Sequence, residues 1–261
     1  MIFLKTEQEI EIMRECNRLV SMTHAELAGS IEPGISTDKL NDIADEFIRD
    51  NGAVPGFLNY SGFPKSVCIS VNDVVVHGIP GDYVLNDGDV VSIDIGAVKH
   101  GFNGDSCFTF EVGDVRDDVK RLLKFTRESL YKGIEVAVEG NRIGDIGHAV
   151  QNHAESAGYG VVRELVGHGI GKDLHESPEV PNFGRRGTGP KLQAGMCIAV
   201  EPMITMGKRF IRQENDGWTI RTRDGRPSAH FEHTMAIGKD QADILSDFSI
   251  IDKAVKQKRG E

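Results

Sequence analysis

The stretch VVSIDIGAVKHGFNGDSCFTF, residues 90–110, sets two aspartates, Asp94 and Asp105, in apolar runs joined by a turn. Val90, Val91, Ile93 and Ile95 surround Asp94, which predicts a buried strand. An ionised carboxylate in such a strand costs several kcal/mol unless something compensates it. A turn at Lys99-His100 would place Asp94 directly opposite Asp105, with Cβ atoms about 5 Å apart. A bulged turn at Gly101 is the alternative register. Two carboxylates that close repel and do not both stay ionised cheaply.

The second half of the chain repeats the problem. Glu201 follows MCIAV, and Glu232 lies in AHFEHTMAI, both in strand-like apolar surroundings. No arginine lies in any of the four acidic segments, so divalent cations are the simplest compensation. Carboxylate oxygens with one or two imidazoles suit manganese, iron(II), cobalt or zinc rather than a structural thiolate site. Four carboxylates exceed the needs of one ion, which favours a two-metal centre. His168 leads the candidate imidazoles, because Gly167, Gly169 and Gly171 let its backbone approach a ligand closely. His175 can reach the same cleft, and His77 reads as the counterpart of His168 in the first half. His24, His100, His148 and His153 read as ordinary core or surface residues, while His230 and His233 flank Glu232 without an assigned role.

These residues need elements to hold them. Thr6 with Glu9 forms a capping box that opens a helix over about 6–28, striped by Ile10, Met13, Cys16 and Val20. A second helix over 37–51 carries Leu40, Ile43, Ala44, Phe47 and Ile48 and stops at Gly52. That pattern returns in Gly140, Ile146, Ala149, Val150 and Ala154, closed by Gly158. HGIP at 77–80 echoes HGIG at 168–171, and LNDGDVVSID at 85–94 echoes LQAGMCIAVE at 192–201, which aligns Asp94 with Glu201. GDSCFTF likewise echoes FEHTMAI and aligns Asp105 with Glu232. The expectation is one α/β domain over residues 1–261, with pseudo-repeats at roughly 30–110 and 137–238 whose strands meet at a central seam.

Composition narrows the setting. A net charge of −10 argues against whole-protein affinity for nucleic acid. Cys16, Cys68, Cys107 and Cys197 form no CxxC pair, which fits a reducing compartment better than a disulfide framework. No signal peptide fits the N-terminus, and no apolar run is long enough to span a membrane, so a cytoplasmic protein is expected.

The motifs SIDIG, NGDSC, GHGIG…HESP, AVEPM and FEHT, in this order, resemble the methionine aminopeptidases of bacterial type I, from KTEQEIEIMR almost to the end of the chain. The resemblance implies the pita-bread fold of two pseudo-symmetric halves. Neither the zinc-binding N-terminal extension of eukaryotic type I enzymes nor the helical insertion of type II is expected. The implied metal ligands are Asp94, Asp105, His168, Glu201 and Glu232, with Asp105 and Glu232 bridging two divalent ions. His77 and His175 would face the substrate, and Tyr60, Phe63, Cys68, His77 and Trp218 would form a methionine pocket. Glu201 would also accept the proton of the attacking water. Backbone oxygens at Asn72, Val74 and Ser228 would bind one sodium or potassium ion.

Implied partners are nascent polypeptide N-termini with a small second residue, met by a monomer in transient contact with the ribosome. Phe57 stands where many bacterial members have a small pocket residue, often cysteine, Leu174 replaces a common aromatic just before His175, and Gly96 stands where a threonine often follows the first aspartate. The competing expectations are a prolidase or aminopeptidase P on the same scaffold, a binding module that has lost catalysis, and a structural metal domain.

Overall fold

The structure, a computed structural model, describes residues 1–260. Five helices are α1 Glu7–Ser30, α2 Thr37–Asp50, α3 Asp117–Glu135, α4 Ile143–Ser156 and α5 Phe248–Arg259. The first half holds strands β1 Val54–Pro55, β2 Cys68–Val71, β3 Val74–Val76, β4 Val90–Lys99 and β5 Phe102–Glu111. The second half opens with β6 Gly160–Val161, β7 Gly167–Gly169, β8 Glu176–Val180, β9 Cys197–Val200 and β10 Met203–Thr205. It closes with β11 Ile211–Gln213, β12 Ile220–Thr222, β13 Ser228–His230, β14 His233–Ala236 and β15 Asp243–Ile244.

α1 and α2 form where their apolar stripes and caps predict. Thr6 and Glu9 exchange both capping-box hydrogen bonds at the start of α1. Ser36 caps α2, and Gly52 follows its end with φ +70°. α1 lies directly on β5 because Gly104 has no side chain: a Cβ there would sit 2.8 Å from the backbone of Cys16 and Asn17. At that close approach the Asn17 side-chain oxygen accepts the Asp105 backbone N–H at 3.1 Å. One capped, striped helix thereby fixes the height of one acid.

β4 pairs with β2 on one side and β5 on the other, all antiparallel. The hairpin register differs from the expected one. Its turn is His100-Gly101, both in the left-handed region (φ 52° and 77°), as a two-residue turn of this hand requires. Lys99 therefore pairs with Phe102, Asp94 with Cys107, and Gly96 with Asp105. The shift is two residues, so both aspartates keep the same face but lie diagonally instead of directly opposed.

In the second half, β9 lies between β7 and β14 in the sheet order β15-β14-β9-β7-β8. The HGIP and HGIG echo does not carry into this topology. His168 lies on β7, directly beside β9. The segment after His77 instead bonds to β2, with the Ile69 N–H donating to the Gly78 carbonyl at 2.9 Å. His77 is therefore one strand further from the central acid than its supposed counterpart.

β5 joins the halves along residues 230–234. The Glu232 N–H donates to the Cys107 carbonyl at 2.9 Å, and the Thr234 hydroxyl donates to the Asp105 carbonyl at 2.8 Å. Thr109 holds the seam's centre: its hydroxyl donates to the His230 carbonyl at 2.7 Å and accepts the His230 N–H at 3.1 Å. Every one of these groups is buried, so each bond lost leaves an unpaired polar atom. Thr109→Val, nearly isosteric, is expected to cost about 1–3 kcal/mol for the orphaned backbone groups. A urea titration should show a lower midpoint with an unchanged slope, because the surface exposed on unfolding is the same.

Candidate metal centre and adjoining pocket

The seam brings all five expected ligands together. Asp94 stands in β4 and Asp105 in β5, while His168 comes from β7. Glu201 directly follows β9, and Glu232 lies between β13 and β14. One ligand atom each from Asp105, His168 and Glu232 lies within 4.8 Å of the others. Asp105 and Glu232 are only 3% and 2% exposed, and no arginine or lysine pairs with either.

The hydrogen bonds decide what can fill the centre. His168 Nδ1 lies 2.9 Å from the Gly169 carbonyl oxygen, which can only accept, so Nδ1 carries the proton. Nε2 therefore presents a lone pair, and it faces Asp105 Oδ2 at 3.6 Å and Glu201 Oε1 at 3.7 Å. Lone pairs facing one another beyond hydrogen-bond range have no attraction of their own; a cation between them supplies it. Asp94 Oδ1, Asp105 Oδ1, Glu232 Oε1 and His230 Nε2 are all buried and lack a hydrogen-bond partner. Unpaired atoms of this kind are scarce in folded proteins, and their gathering at one seam fits a hard divalent cation.

His230 and His233, unassigned by sequence, separate here. His230 Nε2 lies 3.4 Å from Glu201 Oε2, so it faces the site. His233 turns away, with Nδ1 against the Ser246 hydroxyl and Nε2 against Tyr131. The alternation along the strand was the available signal, but a break between β13 and β14 defeats simple counting.

A cavity of about 430 Å³ adjoins the acids. His77, His175, Tyr60, Phe63, Cys68 and Trp218 all line it, as expected, and so do Phe57 and Leu174. The Tyr60 hydroxyl shares a 2.8 Å hydrogen bond with His175 Nδ1, which fixes the ring's orientation. His77 holds φ at 57°, unusual for a residue with a side chain, and its ring meets the edge of Trp218. Trp218 hangs on the β11–β12 hairpin, which reaches the pocket because Ile220 pairs with Val76 beside His77. Asn72, Val74 and Ser228 also converge: the Ser228 N–H donates to the Asn72 carbonyl, and its hydroxyl to the Val74 carbonyl. A larger groove of about 750 Å³ runs between α3 and α5, away from the acids. Several of its charges pair with one another, Arg127 with Asp252 and Arg259 with Glu111, and none of the five expected ligands lines it.

Comparison with known proteins agrees with this geometry. Residues 11–239 match the model of metallopeptidase family M24. The chain is 51% identical to methionine aminopeptidase 1 of Bacillus subtilis, over 94% of this chain and 99% of that one. The crystal structure of methionine aminopeptidase from Rickettsia prowazekii superposes with a TM-score of 0.93 at 44% identity, covering 95% of this chain and all of the other. The chain belongs to the methionine aminopeptidases of metallopeptidase family M24. An Xaa-Pro dipeptidase from Bacillus anthracis shares the fold at a TM-score of 0.77, with 22% identity and 62% of its length covered. The family therefore supplies the pita-bread architecture and makes the chain a metal-dependent hydrolase.

Burial governs the site's electrostatics. Desolvation pushes the Asp94 carboxyl up to about 7 and the Glu201 carboxyl up to about 8. Asp105 and Glu232 are raised well above the usual range, first by burial and then by their acidic neighbours. Burial drives the imidazoles the other way: His168 falls to about 3, and His77 and His230 to about 4.

These shifts set a pH dependence for the metal-free protein. The carboxyls hold protons in the folded state that the unfolded chain has already released. Their stabilising contribution is present at low pH and is lost as pH rises through about 7 and 8. The buried imidazoles act oppositely, but their effect is nearly complete by about one unit above the unfolded value of about 6.5. From about 7.5 upward the carboxyl effect dominates, so metal-stripped protein should melt at a lower temperature as pH rises through about 8. Added Mn(II) should raise the melting temperature, and by more at pH 8, since binding displaces those protons. Differential scanning fluorimetry at both ends of the range, with and without Mn(II), measures both effects.

Proposed function

We propose that this protein removes the N-terminal methionine from peptides and nascent proteins by metal-dependent hydrolysis. The observation that carries this reading is His168 Nε2, its lone pair turned on two buried carboxyl groups, beside a pocket walled by apolar and aromatic side chains. Asp94, Asp105, His168, Glu201 and Glu232 would hold two divalent ions, cobalt, manganese, iron(II) or zinc. When bound, such ions supply Lewis-acid chemistry, activating water and anchoring the substrate's free amino end.

The chain's own residues do the rest. Glu201 takes the proton of the attacking water on a carboxyl oxygen, and His230 Nε2 faces that carboxyl from 3.4 Å. His175, oriented by Tyr60, stabilises the oxyanion that develops on the scissile carbonyl. His77, neutral because it is buried, hydrogen-bonds the scissile amide, and the proton taken up by Glu201 passes to the amine as the bond breaks. Phe63, Trp218, Tyr60 and Cys68 enclose an unbranched thioether and keep water from it.

The same reading takes residues 1–261 as one catalytic domain acting as a monomer in the cytoplasm, with nascent chains met during transient contact with the ribosome. Four free, buried cysteines support a reducing compartment. The carbonyls converging on Ser228 support a monovalent cation, sodium or potassium, held by Asn72, Val74 and Ser228.

Metal-stripped protein should release methionine from Met-Ala-Ser once Mn(II) or Co(II) is added, and release little from Met-Leu-Ser. A folded protein that releases none with either metal would refute the reading. Glu201→Gln should lower kcat by roughly 100-fold or more. Retention of metal by the variant, measured by elemental analysis, separates loss of the base from loss of the centre.

A further inference from the structure

β1 ends at Pro55, but the chain follows β4 one residue further: the Gly56 N–H donates to the Gly96 carbonyl at 2.7 Å. Position 56 has no room for a side chain, since a Cβ there would sit 3.0 Å from the Gly96 carbonyl carbon. The contact lays the next residue, Phe57, across Gly96. A Cβ on Gly96 would lie 2.5 Å from Phe57 Cε1 and 2.8 Å from Cδ1, closer than two carbons pack. The ring occupies the volume that any other residue at position 96 would claim.

That volume is next to the chemistry. Gly96 follows Asp94 by two positions on β4 and is the register partner of Asp105, so its missing side chain would point to the acid-bearing face. The ring is 8% exposed, packs in one apolar cluster with Phe63, Cys68 and Leu174, and lines the cavity. On the β4 side the ring rests on Gly96, which has no side chain to swing into a gap. Truncating Phe57 therefore enlarges the cavity toward β4, because surroundings of this kind relax only in part.

We propose that the contact of Phe57 with Gly96, rather than the ring alone, sets the longest side chain the methionine pocket accepts. The inference rests on the aminopeptidase reading above. It makes positions 57 and 96 a unit: a ring at 57 demands glycine at 96, and a side chain at 96 demands a small residue at 57.

The test uses the Mn(II)-loaded full-length enzyme with Met-Ala-Ser and its S-propyl-homocysteine analogue, two methylenes longer. Phe57→Ala should raise the analogue-to-methionine ratio of kcat/KM about tenfold or more, given that one methylene is worth 10–200-fold in an apolar pocket. Gly96→Ala should lower the melting temperature and raise KM for Met-Ala-Ser by displacing the ring. Phe57→Ala/Gly96→Ala should melt higher than Gly96→Ala alone. If Phe57→Ala does not fold, Phe57→Leu carries the same test with a smaller rise. An unchanged ratio in a folded Phe57 variant overturns the inference, as does a double variant no more stable than Gly96→Ala. Failure of the wild-type enzyme to release methionine refutes the aminopeptidase reading and this inference with it; release with an unchanged ratio refutes this inference alone.

Discussion

Four carboxyl groups brought into one dry seam repel each other and have lost their water. Asp105 and Glu232 are almost fully enclosed, and each has a side-chain oxygen with no partner. The fold must hold this arrangement against its own electrostatics, and it does so through backbone rather than through counter-charges. Asn17 accepts the N–H of Asp105, Thr234 donates to the Asp105 carbonyl, and Thr109 clasps both polar groups of His230. These bonds fix where the acids stand without neutralising them. A lysine or arginine in the seam would have neutralised the acids and occupied the place of the cations. A bound cation supplies the missing counter-charge instead, which links occupancy of the site to stability of the fold.

The histidines divide according to what their second nitrogen meets. His168 gives its Nδ1 proton to the Gly169 carbonyl and so turns a lone pair on the acids. His175 shares Nδ1 with Tyr60, which leaves its other nitrogen for the pocket side. His233 spends both nitrogens, on Ser246 and Tyr131, and is thereby removed from the chemistry although it adjoins Glu232. Burial keeps His77 and His168 neutral, so neither adds positive charge that would compete with a cation.

Local signals in the sequence were read faithfully. The Thr6–Glu9 box, the stripes of α1 and α2 and the apolar neighbours of Asp94 each depend on residues a few positions apart, and each formed as expected. The hairpin register was missed by two positions because His100 takes a left-handed conformation that its residue type does not announce. The acids still share a face, since an even slip preserves the alternation. The likeness of HGIP to HGIG misled in a different way. Glycine-flanked histidines look alike in sequence, whereas strand order, which separates His77 from His168, is decided by pairing across the whole sheet. Phe57 and Gly96 each stood out singly, but only their contact explains both, and contact between distant positions has no signature in one sequence.

The five expected ligands and the pocket beside them are built on different kinds of backbone. Asp94, Asp105 and His168 lie within strands, and Glu201 and Glu232 stand at strand ends, where pairing on both sides leaves little freedom. Phe57, Tyr60 and Phe63 instead come from the connection between β1 and β2, bent by left-handed residues at Asn59, Ser61 and Gly62. Trp218 comes from the tip of the β11–β12 hairpin, pinned by the Asp216 carboxylate that accepts its N–H. Metal geometry tolerates little displacement and so belongs on paired strands, whereas pocket shape can change with a loop while the sheet stays intact. Phe57 is the point at which the two meet: a loop residue whose ring rests on the glycine two positions from Asp94. A ring can close the pocket there only where the strand that carries the acid has given up its side chain, so the loop cannot bring in this wall by itself.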